Sequence, residues 1–360
     1  MRIAVLGVGL IGGSIGLAAR RRLGAEVTGF DPDPATRESA VELEAVDRID
    51  QSIAGAVDGA EVVFCAAPVR FLPGLVAEAL ASSGEEAAVT DVGSTKGALV
   101  DAQLGPLEER FIGGHPLAGA ETAGVDNARP DLFEGARWYL TPTERSSGLL
   151  YDRLQRTIAD LGARPQAIDA ATHDRLMATV SHLPHVIANV LVQQAAAAAA
   201  EESEHLPEVG PSFRDTTRVA GANPPVWGDI FVTNREAVAR EVEAASERLR
   251  DAAELIRSGD PDRVGAWHGA AREDRRRLLE GDRSGGELYE LRLGVENRPG
   301  TVAEIALALG RAGVNIEDLA LHPAPDMRTG AVSLWIAGDV EAERAAAVVR
   351  GLGHNVSVSR

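Results

Sequence analysis

The side chain best suited to acid–base chemistry is His115, which stands in a Gly-Gly-His-Pro segment after a predicted strand. The two glycines and the proline predict a rigid loop with an exposed imidazole. An imidazole can take up or release a proton near neutral pH, so His115 is a candidate general base. Ser94 also follows a predicted strand, and the carboxyl ends of parallel strands line one crevice. A purely structural histidine is the alternative interpretation.

A second set of candidate residues is predicted to lie on helices further along the chain. His182 and His185 are three residues apart and should share one helix face. No set of Asp, Glu or Cys accompanies them, so we predict no metal site. Arg214 and Arg218 are four residues apart and should face one direction, which favours binding of a carboxylate. An ion pair is the alternative for the arginines, with Glu201, Glu202 or Glu208 as the partner.

A glycine-rich segment near the amino terminus has the features of a dinucleotide-binding turn. Gly7, Gly9 and Gly12 follow a short apolar strand and open a helix. The first glycine permits a tight turn, the second lets the backbone approach a pyrophosphate, and the third lets helix and strand pack closely. The helix N-terminus then offers free N–H groups to phosphate. Leu10 and Ile11, between the last two glycines, complete this part of the predicted cofactor site.

The end of the second predicted strand indicates which dinucleotide binds. Asp31 stands there and can accept hydrogen bonds from the ribose hydroxyls of NAD, while it would repel the 2′-phosphate of NADP. Asp33 is a competitor for the ribose, and Arg37 keeps NADP open as an alternative. Ala67 and Pro68 follow another strand, where small side chains let a dinucleotide lie close to the backbone. We therefore predict NAD as the cofactor.

These residues need a scaffold that brings strand ends together. Over residues 1–168, short apolar strands alternate with helical segments, which indicates parallel βαβ units in a doubly wound sheet. The predicted strands are 2–6, 26–30, 61–66, 87–91, 111–113 and 138–141. The predicted helices between them include 11–22, 69–82 and 149–161.

Two further regions follow this part of the chain. Over 169–282 the strand patterns vanish, and long helical patterns such as 237–257 carry apolar residues every three or four positions. After a linker-like junction, residues 287–360 show the order strand, helix, strand, strand, helix, strand, which is typical of a ferredoxin-like fold. The predicted fold is thus an α/β Rossmann domain (1–168), then an all-α dimerisation and substrate domain (169–282), then a ferredoxin-like α+β domain (287–360).

Composition limits the possible classes of function. The chain has 36 basic and 54 acidic side chains, a formal charge of −18, so it should repel nucleic acids. No uninterrupted apolar run approaches the roughly 18 residues of a membrane-spanning helix, and no cleavable signal precedes the first strand. We therefore expect a cytoplasmic protein that does not bind membranes. Cys65 is the only cysteine, which excludes an internal disulfide and favours a packed small side chain over a nucleophile.

Five segments, taken in order and with their spacing, resemble the prephenate dehydrogenase family. They are GVGLIGGS, TDVGSTK, GGHPLAGAE, SHLPH and FRDTTRVA, and the resemblance covers about residues 1–280. Residues 287–360, with ENRPG before a predicted helix and RAGVNI after it, resemble an ACT regulatory domain. The resemblance implies oxidative decarboxylation of prephenate to 4-hydroxyphenylpyruvate with NAD⁺, a step of L-tyrosine biosynthesis. It also implies a homodimer formed by the helical domain.

The resemblance further implies roles for individual residues. His115 matches the family's catalytic histidine, which takes or shares the proton of the ring 4-hydroxyl as hydride leaves. Ser94 matches the serine that orients this histidine and touches the nicotinamide side. Arg218 matches the arginine that holds a substrate carboxylate, and Arg214 occupies a neighbouring position. The remaining matches on the substrate side are His182, His185, Glu121 and Trp227.

The choice of substrate and the regulation stay open. Arogenate dehydrogenase, or a dual cyclohexadienyl enzyme, is the nearest alternative, and Ala120 stands where other members carry a hydroxyl residue. A β-hydroxyacid dehydrogenase is less favoured because of the GGHPLAGAE segment, and a non-catalytic amino-acid or NAD sensor is less favoured because Ser94, His115 and Arg218 are all present. A turn with Gly313 and Asn315 offers backbone N–H groups to a carboxylate, so we expect L-tyrosine as an allosteric ligand. A structural or dimerising module is the alternative for that domain.

Overall fold

The computed structural model describes residues 1–100, 102, 104–119, 122–202, 209–280, 287–296, 304–305, 308–309, 312, 314, 316, 318–323 and 329–359. The chain forms two compact units, Met1–Leu249 and Arg250–Arg360. The first unit contains the predicted Rossmann domain together with most of the predicted helical domain. The second unit contains the carboxy-terminal sheet.

The first unit is built on an eight-stranded sheet. Its strands are β1 (Arg2–Leu6), β2 (Glu26–Phe30), β3 (Arg48–Ile49), β4 (Val62–Cys65), β5 (Ala88–Asp91), β6 (Phe111–Pro116), β7 (Arg137–Thr141) and β8 (Arg164–Ala167). They are ordered β3-β2-β1-β4-β5-β6-β7-β8. Strands β1 to β6 run parallel, and their order is that of a Rossmann sheet, so the predicted α/β class is confirmed.

Helices pack on both faces of this sheet. They are α1 (Leu10–Ala18), α2 (Pro34–Glu42), α3 (Ile53–Val57), α4 (Leu72–Ser82), α5 (Gly97–Val100) and α6 (Gly148–Asp160). Alternate side chains of a strand point to opposite faces, and β1 divides accordingly. Ile3 and Val5 belong to the hydrophobic core that includes Leu154 of α6. Ala4 belongs to a second core that includes Leu80 of α4.

Strand β6 is longer than the sequence predicts, and this changes the setting of His115. Strand β7 pairs antiparallel with β6, and the pairing sets His115 opposite Tyr139 and Pro116 opposite Trp138. The prediction of a rigid loop with an exposed imidazole is therefore wrong, because His115 is half-buried within a strand. The other strands predicted in this region agree with the structure to within one residue at each end.

The helical part of the first unit follows β8. Its helices are α7 (Ala170–Met177), α8 (Leu183–Glu202), α9 (Pro211–Thr217), α10 (Pro224–Thr233) and α11 (Arg235–Arg257), the last of which continues into the second unit. A π turn, Ala178–His182, joins α7 to α8, and in it the N–H of Leu183 donates to the carbonyl of Ala178. Pro184 has no N–H to continue the α-helical pattern, so the expected disturbance takes the form of this turn.

One helical stretch within the described residues, Ala170–Ala198, is long and apolar enough to cross a membrane by length and composition alone. This is weak evidence for a membrane span, because a core helix meets the same criteria. The stretch also carries His173, Asp174 and His182, three polar side chains that are buried within the first unit.

The second unit has its own sheet and core. Its elements are α12 (Pro261–Glu280), β9 (Leu288–Glu296), β10 (Asp318–Pro323), β11 (Thr329–Ala337), α13 (Asp339–Gly351) and β12 (Val356–Ser359). The four strands are antiparallel and ordered β10-β11-β9-β12. Leu291 of β9 and Leu334 of β11 form a core with Ala345 and Val349 of α13.

Candidate active site

The glycine loop after β1 is shaped by close backbone contacts. Gly7 has φ +97°, and a Cβ there would lie 2.4 Å from the carbonyl oxygen of Ala66. A Cβ on Gly12 would lie 1.9 Å from the carbonyl oxygen of Gly7. Gly9, in contrast, faces open space and precedes α1 without a side-chain cap. Two of the glycines are therefore required by packing, while the third leaves room for phosphate at the uncapped helix N-terminus.

The two acidic residues after β2 have different roles. Asp31 accepts a hydrogen bond from the N–H of Val8 at 2.9 Å, which holds its carboxylate beside the glycine loop. Asp33 caps α2 by accepting hydrogen bonds from the N–H groups of Ala35 and Thr36. Of the two candidates for the ribose, only Asp31 lies at the loop. Arg37 donates to the carbonyl oxygen of Asp31 at 2.8 Å.

The same edge of the sheet continues past β4. Ala67 and Pro68 follow that strand, and the backbone of Ala66 and Ala67 contacts the position of the first glycine of the loop. Cys65, at the end of β4, is fully buried, and burial together with the nearby Asp91 raises the pKa of its thiol well above the usual value. The thiol thus stays protonated at neutral pH, which fits the expected packing role.

His115 enters this edge from β6 and has a buried hydrogen-bond partner. Its Nδ1 lies 2.9 Å from Nε2 of His173, which belongs to α7, and the two rings meet edge to face. Ser94 is half-buried, and within the described part of the chain its hydroxyl makes no hydrogen bond. The proposed role of Ser94 in orienting His115 therefore stays a prediction, and His173 is the residue that the structure brings to the ring.

A carboxylate stands behind His173. Its Nδ1 lies 2.8 Å from Oδ1 of Asp174. The backbone N–H groups of Lys96 and Gly97 each donate to the Asp174 carboxylate at 2.8 Å. Burial raises the pKa of Asp174, but the hydrogen bonds from His173 and the two N–H groups outweigh it and lower the pKa overall. Asp174 is therefore an ionised acceptor at neutral pH.

A buried ion pair holds the backbone next to His115. Lys96 and Asp91 are both almost completely buried and form a salt bridge. The ammonium group of Lys96 also donates to the carbonyl oxygen of Gly114 at 2.7 Å, and the N–H of Gly114 donates to Asp91 at 3.0 Å. The N–H and the carbonyl group of Gly114 are thus both held in place. This also fixes the backbone position from which the His115 side chain extends.

The charge state of His115 follows from its surroundings. Burial lowers the pKa of its imidazole well below the usual value, and the neighbouring His173, Lys96 and His182 lower it further. A positive charge on His115 is costly so close to the ammonium group of Lys96. The ring is therefore neutral at pH 7 and can accept a proton.

The two helix-borne histidines converge on one tryptophan. His185 stacks on Trp227 of α10, and His182 meets the same indole edge to face. The amide nitrogen of Asn234 lies 3.2 Å from Nδ1 of His182. Burial lowers the pKa of His182 to about 4. Burial also lowers the pKa of His185, and the nearby charge of Arg218 adds to the effect.

The two predicted arginines are exposed to solvent, and several other predicted residues are not described by the structure. Arg214 and Arg218 are both exposed, at α9 and directly after it. The side chains of Glu201, Glu202 and Glu208, the alternative ion-pair partners, are not described. Three further predicted residues lie outside the described part of the chain, namely Glu121, Gly313 and Asn315. Among the described residues, no group of His, Cys, Asp or Glu is arranged to hold a metal ion.

Sequence reasoning missed the buried polar residues that support His115. Asp91 and Lys96 lie within the TDVGSTK segment, so a charged pair at the end of a buried strand was a usable signal. His173 and Asp174 stand in the middle of α7, and only the tertiary fold brings them to β6. The parallel sheet collects Gly7, Asp31, Ala67, Ser94 and His115 at the carboxyl ends of its strands, the usual crevice for a ligand.

Comparison with known families gives two matches. Residues 15–167 match the family model described as prephenate dehydrogenase, nucleotide-binding domain. Residues 169–268 match the model described as prephenate dehydrogenase, dimerization domain.

Two curated relatives are similar over most of the chain. A prephenate dehydrogenase of Bacillus subtilis is 29% identical over 355 residues, which is 95% of this chain and 94% of that protein. A cyclohexadienyl dehydrogenase of Zymomonas mobilis is 31% identical over 266 residues, which is 72% of this chain and 90% of that protein.

Two solved structures are similar to about three quarters of the chain. One is prephenate dehydrogenase from A. aeolicus in complex with hydroxyphenyl propionate and NAD⁺, with 30% identity and a TM-score of 0.73, covering 77% of this chain and 98% of that one. The other is Synechocystis arogenate dehydrogenase, with 29% identity and a TM-score of 0.67, covering 77% of this chain and 100% of that one.

Proposed function

Because the chain belongs to the prephenate dehydrogenase family, we propose that it converts prephenate to 4-hydroxyphenylpyruvate and CO₂, with NAD⁺ as the oxidant. The observation that carries this proposal is the neutral imidazole of His115, half-buried at the same sheet edge as the glycine loop and Asp31. A base at that edge can accept the hydroxyl proton of an alcohol while the carbinol carbon gives its hydride to the cofactor.

The glycine loop fits a dinucleotide. The open space at Gly9 and the uncapped start of α1 suit a pyrophosphate, and Asp31 suits the ribose hydroxyls. Bound NAD⁺ supplies the acceptor for the hydride that leaves the substrate. The chain itself supplies the binding crevice and the proton acceptor.

The proton balance of the reaction defines the task of His115. Prephenate loses a hydride from C4 and CO₂ from C1, and its C4 hydroxyl is again a hydroxyl in the phenol product, so no net proton is released. We propose that Nε2 of His115 holds the hydroxyl proton while the C4–O bond gains carbonyl character. His115 then returns the proton to the phenolate oxygen after CO₂ has left.

Prephenate is a dianion, and the helical part of the first unit carries the arginine side chains that would bind it. We propose that Arg218 binds one substrate carboxylate and that Arg214 assists it. His185 and Trp227 would then form a wall of the substrate pocket, with His182 behind them. The ring carboxylate must leave as neutral CO₂, so strong neutralisation of the pyruvyl carboxylate and weak neutralisation of the ring carboxylate would favour the transition state.

Arogenate is the alternative substrate, and the names of two similar proteins support this alternative. One is the cyclohexadienyl dehydrogenase of Z. mobilis and the other is the arogenate dehydrogenase of Synechocystis. The decisive measurement is kcat/KM for prephenate and arogenate, each with NAD⁺ and with NADP⁺. We expect prephenate with NAD⁺ to give the highest value, and a higher value for arogenate would reverse the assignment.

The role of His115 has its own test. Replacing it by asparagine should lower kcat roughly 10²–10⁴-fold, because the general base is lost, while NAD⁺ still binds. Near-normal turnover in this variant would exclude His115 as the base.

The carboxy-terminal unit is proposed to be regulatory. Its strand order β10-β11-β9-β12 places the first and third strands of the sheet at the centre, an arrangement that supports a ferredoxin-like, ACT-type domain. We propose that it binds L-tyrosine near Gly313 and Asn315 and that the chain forms a homodimer through its helical domain. Tyrosine inhibition that persists unchanged in a chain shortened to end near residue 284 would place the inhibitor elsewhere, and light scattering would report the oligomeric state.

A further inference from the structure

Three side chains form a continuous hydrogen-bonded line from β6 into α7. Nδ1 of His115 lies 2.9 Å from Nε2 of His173, and Nδ1 of His173 lies 2.8 Å from Oδ1 of Asp174. His173 is completely buried and Asp174 is nearly so. The line therefore lies away from water and ends on a carboxylate.

The far end of the line is fixed by backbone groups. The carboxylate of Asp174 accepts the N–H groups of Lys96 and Gly97, and the side-chain amide of Asn234 donates to the Asp174 carbonyl oxygen at 2.8 Å. Asp174 therefore has little freedom to rotate away from His173. The ring of Tyr139 also packs against His173, with centroids 5.7 Å apart.

The position of every proton in the line follows from the carboxylate. An ionised carboxylate can only accept, so Nδ1 of His173 must carry a hydrogen. When each of the two rings carries a single hydrogen, Nε2 of His173 is an acceptor. Nδ1 of His115 must then carry the hydrogen that is donated to His173. The lone pair of His115 is left on Nε2, the ring nitrogen that the line does not use.

We propose that His173 and Asp174 are positioning residues that hold His115 in this tautomer, and that His173 takes up its proton during turnover. This inference rests on the proposed function, in which His115 is the base. When the substrate hydroxyl gives its proton to Nε2 of His115, the Nδ1 proton of His115 moves to Nε2 of His173. The imidazolium of His173 then forms an ion pair with Asp174. Both protons return when the phenol forms, so the relay leaves no net charge.

Electrostatics favours the positive charge on His173 over His115. Among the described residues, the charged and titratable groups around the two rings are Lys96 with its ion-pair partner Asp91, Asp174, His182 and Tyr139. The ammonium group of Lys96 opposes a charge on His115, whereas the carboxylate of Asp174 directly contacts His173. Moving the proton one ring further thus exchanges a repulsive neighbour for an attractive one.

The first test compares two substitutions on the same helix in the full-length enzyme. Asp174→Asn removes the carboxylate of the relay. Asp169→Asn is the matched control, because Asp169 caps the start of α7 through Thr172 and asparagine caps equally well. We expect Asp174→Asn to lower kcat roughly 10²–10⁴-fold, with the Kd of NAD⁺ within about threefold of the original, because the tautomer of the base is lost.

The pH profile separates a relay from a merely structural role. Without the carboxylate, the protonated imidazole loses its partner, so the acid limb of the kcat profile should move to lower pH. The control should keep its kcat and its profile. A normal kcat with an unmoved acid limb in Asp174→Asn, or the same losses in Asp169→Asn, would overturn the proposal.

A second variant tests the proton transfer and remains available if Asp174→Asn does not fold. The amide of His173→Gln can accept from His115 and donate to Asp174, but it cannot take up a proton. We expect kcat to fall at least roughly tenfold, while ¹⁵N NMR of the substrate-free enzyme still shows the proton of His115 on Nδ1. An unchanged kcat, or a His115 proton on Nε2 in the unsubstituted enzyme, would refute the relay.

Different experimental results would refute the relay and the proposed function. Near-normal turnover in His115→Asn would remove the base and with it both proposals. An inactive His115→Asn together with fully active Asp174→Asn and His173→Gln variants would leave the proposed function intact and refute the relay alone.

Discussion

The imidazole of His185 lies almost flat on the indole of Trp227, with ring centroids 3.3 Å apart and planes inclined by 22°. His182 meets the same indole edge to face at 6.0 Å, and Phe231 packs against it at 5.5 Å. One half-buried tryptophan on α10 thus fixes the orientation of two histidines that α8 and the π turn present. Loss of this ring should affect substrate binding before it affects the fold.

Replacing Trp227 by leucine tests that expectation. The aromatic contact is worth about 0.5–1.5 kcal/mol, so its loss should raise KM for prephenate about 2–10-fold while kcat changes less. Trp227→Phe keeps an aromatic face and should lie between leucine and the original enzyme. Steady-state kinetics with saturating NAD⁺ provides the measurement, and a fall in kcat at constant KM would contradict a role in binding.

The buried pair of Lys96 and Asp91 predicts a large loss of stability when one partner is removed. Lys96→Met leaves the Asp91 carboxylate buried without its counter-ion, which should lower the free energy of unfolding by about 3–5 kcal/mol. Urea denaturation followed by circular dichroism measures this. The double variant Lys96→Met with Asp91→Asn removes the unpaired charge and should recover part of the loss, and no recovery would argue against the charge as the cause.

Asp31 and Asp33 provide a matched pair for the choice between cofactors. Asp31→Asn removes the negative charge beside the glycine loop, so the ratio of kcat/KM for NADP⁺ to that for NAD⁺ should rise roughly tenfold. Asp33→Asn keeps a capping side chain at the start of α2 and should leave the ratio unchanged. Equal changes in both variants would mean that Asp31 has no particular role at the ribose.

The low pKa of His182 predicts a loss of stability in mild acid. Burial lowers its pKa in the folded protein to about 4, so between the usual value and about 4 the unfolded chain binds more protons. The contribution of this group is present above pH 6.5 and is lost as the pH falls from 6.5 towards 4. It amounts to about 3.5 kcal/mol at most, since one pKa unit corresponds to about 1.4 kcal/mol.

The measurement compares the free energy of unfolding at pH 7 and at pH 4.5 in the original protein and in His182→Gln. Glutamine does not titrate in this range and can still accept a hydrogen bond from Asn234. The variant should therefore lose less stability between the two pH values. An identical loss in both proteins would show that His182 does not contribute.

Local features of the sequence were enough to predict the cofactor crevice. The glycines of the first turn and Asp31 act within one βαβ unit, where Gly7 and Gly12 meet steric requirements that can be predicted from their spacing. The strand order could also be predicted as a class, because alternation of strands and helices permits few topologies.

Contacts between distant segments could not be predicted in the same way. Strand β6 extends to Pro116 because β7 pairs with it, and nothing in the local pattern around His115 indicates that partner. His173 and Asp174 have an ordinary helical context, and their role appears only when α7 packs beside β6. The π turn at Ala178–His182 likewise depends on how Pro184 is accommodated within a long helix.

The π turn places one more residue in the helix than an α-helical turn would hold. Each residue advances an α-helix by about 100°, so everything that follows the turn, including His185, is rotated around the axis relative to an uninterrupted helix. A descendant of this chain that lost a single residue between 178 and 182 would close the turn to α-helical geometry and keep His185 facing Trp227, whereas closing the turn at unchanged length would rotate that histidine away. A change in the geometry of this turn would thus redirect His185 without any exchange of a side chain in the pocket.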